Sequence, residues 1–193
     1  MGKAKKSGVA IFMYCVIAFA AALAAVCFAL YYGKIYSAGW ILWIGIVGFM
    51  IMYHLWLRLI MGNVSKLFKI SYRQRWFKER GFEKGLYSFL KVKDWKDKTL
   101  TYNPHLFSLK DYTPEQIADT MAKAETDHWI NEIISLSSIL FAFVWGQGFI
   151  FVLTAALAMI FDGQFILIQR YNRPRVLRLM QRQIHKKEEE CLV

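Results

Sequence analysis

Between Gly8 and Tyr32 the chain carries no Lys, Arg, Asp or Glu, and the same holds from Gly39 to Leu57 and from Ile133 to Phe161. A helix crossing the hydrocarbon core of a bilayer needs about 20 mostly apolar residues at ~1.5 Å each. The first two runs meet that requirement directly. The third apolar stretch, Ile130 to Gln169, is too long for one span and holds Gly146-Gln147-Gly148 near its middle. It is predicted to form two helices joined by a tight turn. Lys3, Lys5 and Lys6 precede the first run as they would in a signal peptide. Its apolar length exceeds the ~7–15 residues of a signal core, which favours a retained span. The expected fold class is therefore an all-α integral membrane protein with four transmembrane helices. A cytosolic, interfacial helical segment separates spans two and three.

The charges set the expected orientation. Three lysines lie in the N-terminus, one in Gly33–Ala38 and none in the Gly146–Gly148 turn. Thirteen Lys or Arg fall within Asn63–His128, and seven in the tail from Arg170. Basic residues collect on the cytosolic side of membrane proteins, so both termini and the central segment are expected there, in a cell membrane. The chain then divides into a cytosolic basic N-terminus (1–8), helices one and two (9–62) and an amphipathic interfacial segment (63–112). A long third helix with the fourth (113–169) and a cytosolic basic tail (170–193) complete it. The net charge of +11 follows from this bias and from attraction to anionic headgroups. Nucleic acid is not an expected partner, because no nucleic-acid-reading module is present. Cys15, Cys27 and Cys191 match no metal or disulfide spacing, and no metal site is expected.

Span one is read as roughly Val9–Tyr32 and span two as roughly Trp40–Ile60, with Tyr31, Tyr32, Tyr36, Trp40 and Trp43 forming an outer aromatic belt. The central segment divides near Pro104. Its first half mixes basic residues with Phe68, Tyr72, Trp76, Phe77, Phe82, Tyr87, Phe89 and Trp95. That mixture suits short helices lying on the headgroup layer with snorkelling lysines. Gly81 and Gly85 are expected to interrupt them. Thr113-Pro114-Glu115-Gln116 supplies a helix N-cap, a proline at the first helical position and Gln for a capping box. With no breaker before Gly146, one helix is predicted from Pro114 to Trp145, about 48 Å long. Span four, about Phe149–Gln169, should break or kink before Pro174.

Several polar residues are candidates for chemistry. On the third helix Glu125, His128 and Glu132 share one face, with Trp129 beside them. A carboxylate one turn from an imidazole can hold the ring's tautomer for general-base work, although mixed charges are also ordinary where a helix enters a membrane. His54 and Arg58 are one turn apart in span two, and Asp162 lies in span four. An ionisable group inside a span is costly and normally faces a partner or a wet cavity, so Asp162 pairing with Arg58 is an equally good structural explanation. Arg170, Asn172, Arg173 and Arg175 cluster after span four, where they either anchor the helix end or grip a phosphate. Scattered histidines exclude a membrane di-iron desaturase. A His-Glu-x-x-His motif, a phosphate-cradling glycine loop, a Gly-x-Ser-x-Gly elbow and a His-x-x-x-x-Asp acyltransferase signature are all missing.

Three blocks carry a family likeness: Val92-Lys93-Asp94-Trp95-Lys96-Asp97-Lys98, Ala124-Glu125-x-x-His128-Trp129, and Gln169-Arg170-Tyr171-Asn172-Arg173-Pro174-Arg175. In these, over roughly Tyr87 to Arg178, the chain resembles the glycosyl-4,4′-diaponeurosporenoate acyltransferase family of staphyloxanthin-type carotenoid biosynthesis. The resemblance implies transfer of a fatty-acyl group from a thioester donor to a sugar hydroxyl of a membrane glycolipid. Acyl-CoA or an acyl-carrier protein would be the donor substrate, with no separate cofactor. His128, oriented by Glu125, would be the catalytic base. Arg170, Asn172, Arg173 and Arg175 would hold donor phosphates or the oxyanion. Trp95, Lys96 and Trp129 would line the site, joined on the substrate side by His54, Arg58 and Asp162. The competing expectation is a non-catalytic accessory or lipid-binding membrane protein, in which the same stripe is a salt-bridged packing face.

Overall fold

The computed structural model describes residues 8–64, 67–99 and 104–191. The lysines before Gly8 lie outside that range, as does the junction just before Pro104. Seven α-helices are present among the described residues: α1 (Gly8–Tyr32), α2 (Gly39–Val64), α3 (Glu83–Phe89), α4 (Val92–Trp95), α5 (Pro114–Ser137), α6 (Ala142–Trp145) and α7 (Gly148–Cys191). Four stretches are long and apolar enough to cross a membrane: Ile11–Tyr32, Gly39–Val64, Pro114–Trp145 and Gly148–His185. The all-helical, four-span expectation holds. The chain forms two compact units, Met1–Val64 with Ile130–Phe161, and Ser65–Trp129 with Asp162–Val193.

The first unit is built on the packing of α1 against α2. Lipid tails are as apolar as leucine, so helices in a bilayer associate through close van der Waals fit, which small residues permit. Ala20, Ala24 and Cys27 form the buried stripe of α1. They meet glycines on α2: a Cβ on Gly48 would lie 3.1 Å from the Ala20 carbonyl oxygen, and one on Gly45 would lie 3.1 Å from Cys27 Cβ. Further along, Leu42, Ile46, Met50 and Phe151 make a core ringed by Phe28, Phe49, Phe141 and Trp145. Trp145 stacks on Phe28 at 5.3 Å between centroids.

At the start of α5 the predicted capping box is formed: Thr113 N–H donates to Gln116 Oε1 (2.9 Å) and Gln116 N–H to Thr113 Oγ1 (3.3 Å). The predicted helix to Trp145 is not uniform. It tightens into a 3₁₀ turn at Ser138–Phe141 before α6. Ser137 and Ser138 hydroxyls donate to the carbonyls of Ile134 (2.8 Å) and Ser135 (2.6 Å), a back-bonding pattern that competes with the α-helical ladder. The turn into α7 falls where expected. Gly146 takes φ 66°, ψ −143°, a region open essentially to glycine alone.

In the second unit the central segment forms short pieces, a 3₁₀ turn at Arg75–Phe77 followed by α3 and α4. Gly85 lies inside α3 and does not interrupt it, which corrects one expectation. Lys91, in the left-handed region at φ 49°, separates α3 from α4. Phe77, Val92, Ile117, Ala118, Met121, Ala122 and Ile166 are buried. A second correction concerns Pro174. No break occurs there; α7 is helical through it to Cys191. An interior proline costs ~3 kcal/mol of helix stability. Arg170 and Arg173, in the turn before Pro174, are fastened to the rest of the unit by the contacts described next.

Candidate functional site

The face of α5 that buries Ile117, Ala118, Met121 and Ala122 continues, at helical spacing, to Glu125. Glu125 is 0 % exposed. On the part of α7 that belongs to the second unit the buried positions are Asp162, Ile166, Gln169 and Arg173, again one stripe. The two stripes bring carboxylates and guanidiniums out of water together, which is tolerable only if each charge is answered. Arg170 Nε donates to Glu125 Oε1 at 2.7 Å and its Nη2 to the Trp76 carbonyl at 2.7 Å. Its Nη1 is ion-paired with Glu83. Arg173 Nη2 is ion-paired with the second oxygen of Glu125, and Nη1 donates to the Phe77 carbonyl at 2.8 Å. Tyr87 Oη donates to Glu83 Oε2 at 2.8 Å. Burial raises the Tyr87 phenol above its ordinary pKa, and the Glu83 carboxylate beside it pushes the same way. Glu83 and Glu125 are thus balanced by Arg170 and Arg173 in one buried cage.

The imidazole of His128 has a different partner. Its Nδ1 lies 2.8 Å from Asp162 Oδ1, and its ring stacks on Phe165 with centroids 4.7 Å apart and planes 6° from parallel. Asp162 is 1 % exposed, whereas the His128 side chain keeps 22 % of its surface open. With the carboxylate ionised, Nδ1 carries the proton and donates it, leaving the lone pair on Nε2. A fixed tautomer with an accessible acceptor nitrogen is what general-base chemistry requires.

The sequence-predicted site residues have these partners in the structure. Glu125 holds arginines, and Asp162 takes its place beside His128; two guanidiniums offer a buried carboxylate more than a neutral ring one turn away. Arg170 and Arg173 direct donors to glutamates and carbonyls inside the protein. Arg175 is exposed, hydrogen-bonded to Tyr171 Oη and stacked over that ring at 4.0 Å. Trp95 and Lys96 have local partners: Trp95 Nε1 donates to the Leu90 carbonyl at 2.9 Å, and Lys96 pairs with Asp97.

Trp129 does reach the cage, donating its indole N–H to Glu125 Oε1 at 3.3 Å and meeting Trp76 edge-on at 5.9 Å. Asn172 is half-buried beside Arg173. His54, buried, and Arg58 lie one turn apart on α2 in the first unit. Sequence reasoning missed Glu83, Trp76 and Phe77 as members of the cage. The only signal was the Glu83/Tyr87 spacing of four. Among the described residues no group of three or more His, Cys, Asp or Glu is arranged to hold a metal ion.

No curated protein and no solved structure matches the chain. Residues 73–182, more than half of its length, match the family model described as glycosyl-4,4′-diaponeurosporenoate acyltransferase. That range contains every member of the cage and both members of the His128–Asp162 pair. The chain, an all-helical protein with four helices apolar enough to span a membrane, therefore belongs to the glycosyl-4,4′-diaponeurosporenoate acyltransferase family and is an acyltransferase.

Proposed function

We propose that the protein moves a fatty-acyl group from a thioester donor to a sugar hydroxyl of a membrane glycolipid, at the cytosolic leaflet, with His128 as the base. The family's description, which names a glycosylated carotenoid acid, supports a glycolipid as the acceptor. The abundance of Lys and Arg in the central segment and tail supports the cytosolic side, with both termini there and the protein in the cell membrane. Acyl-CoA or acyl-carrier protein is the donor, and the chemistry needs no further cofactor.

The observation that carries the assignment is the 2.8 Å contact between His128 Nδ1 and buried Asp162. In the step it supports, Nε2 takes the proton from the acceptor hydroxyl as the oxygen attacks the thioester carbonyl. The tetrahedral intermediate collapses with loss of the thiolate, which recovers the proton from His128. The products are the ester and a free thiol. Asp162 orients the ring and stabilises its charge while the proton is held, as a buried aspartate does for a catalytic histidine elsewhere. The cage around Glu125 keeps α5 and α7 in register and takes no part in proton transfer.

The test is transfer activity of His128→Ala and Asp162→Asn, purified in detergent and confirmed folded by thermal unfolding. A positioned general base contributes about 10²–10⁴-fold, and losses in that range are expected. Full activity in a stably folded His128→Ala would remove His128 from the chemistry.

A further inference from the structure

Helix α3 is turned the opposite way to an ordinary surface helix. Its protein-facing positions are polar: Glu83 is 3 % exposed and Tyr87 7 %. Its outward positions are apolar. Phe82, Leu86, Phe89 and Leu90 are all exposed, Phe89 at 82 %. Phe82 and Leu90 flank the helix with right-handed helical backbone angles, so the four fall at i, i+4, i+7 and i+8 on one face. A water-facing helix would reverse this arrangement, since contiguous exposed apolar surface marks a contact site.

The charges around that face say what it contacts. Lys78, Arg80, Lys84, Lys91 and Lys93 are exposed along this segment, against the exposed acids Glu79 and Asp94. A second copy of the chain would set these cations against their own kind. An anionic lipid surface answers both features, apolar side chains entering the acyl boundary and lysines reaching headgroup phosphates. The segment also lies in the chain between two candidate spans, Gly39–Val64 and Pro114–Trp145, and so is tethered to a bilayer at both ends.

We propose that α3 is a lipid-inserted interfacial helix, with Phe82, Leu86, Phe89 and Leu90 in the upper acyl region of an anionic leaflet. Its inner face presents Glu83 to Arg170. One short helix thus joins the lipid surface to the charge cage. The proposal stands apart from the assignment of the base, because it concerns where α3 sits and not what His128 does.

The experiment places an environment-sensitive NBD label at Phe89→Cys or, as control, at Ser88→Cys, in full-length protein whose Cys15, Cys27 and Cys191 are replaced by Ala. Each is reconstituted into phosphatidylcholine vesicles containing phosphatidylglycerol. The label at position 89 should be blue-shifted and lose most of its emission to a nitroxide on the upper acyl chain, while iodide quenches it little. The label at 88 should show the reverse. Equal iodide quenching at the two positions would overturn the proposal. So would crosslinking from position 89 to a second copy of the chain.

Discussion

Glu125 and His128 sit one helical turn apart on α5, and their side chains are committed in opposite degrees. Both oxygens of Glu125 are taken by arginines, with an indole N–H on one of them. His128 has one nitrogen held by Asp162 and a ring that is still partly open. Spacing alone makes the two look like a catalytic pair. The contacts differ: both oxygens of Glu125 already hold guanidiniums, whereas the oriented imidazole of His128 keeps part of its surface open. The proposal that His128 is the base and Glu125 part of the scaffold rests on that contrast.

The largest effect expected from breaking this contrast is on stability. Glu125→Ala leaves Arg170 and the 1 %-exposed Arg173 without their shared counter-charge. Removing one partner of a buried ion pair costs about 3–5 kcal/mol, and the variant should unfold well below the parent in a detergent thermal melt. Wild-type stability in that variant would mean that Glu125 is not what holds the arginines. Glu83→Gln should fall between the extremes. Arg170 keeps Glu125, but a charged hydrogen-bond partner is lost, at about 1.5–3 kcal/mol. The same melt reads it. Trp129→Phe removes only the 3.3 Å indole bond from a carboxylate that retains two guanidiniums. It should cost about 1 kcal/mol or less. A Trp129→Phe loss matching that of Glu125→Ala would place the weight of the cage on the indole, contrary to the contacts.

The difference between these regions also explains what could be read from the chain in advance. The spans, the Gly146 turn and the Thr113 cap follow from local signals: uncharged length, a backbone conformation demanding glycine, and two side chains three residues apart. The 3₁₀ turn after Ser137 depends on which of several serines bonds back to the helix, a choice that spacing does not make. The break or kink expected at Pro174 was a local preference, and α7 stays helical through that residue. The partner of His128 was the hardest to see. Glu125 lies three residues away and Asp162 thirty-four, yet the nearer carboxylate is claimed by cations from α7. The arginine cluster was visible as density, but nothing in its spacing announced Glu83 as an internal acceptor.

The central claim is that His128 and Asp162 act as one catalytic unit separate from the cage. Single-turnover acyl transfer by His128→Ala, Asp162→Asn and the double variant, each checked for parental thermal stability, tests it most directly. Groups that work as a unit are grossly non-additive, so the double variant should be no slower than the slower single one. Losses that multiply in the double variant, or full transfer by His128→Ala, would contradict the account.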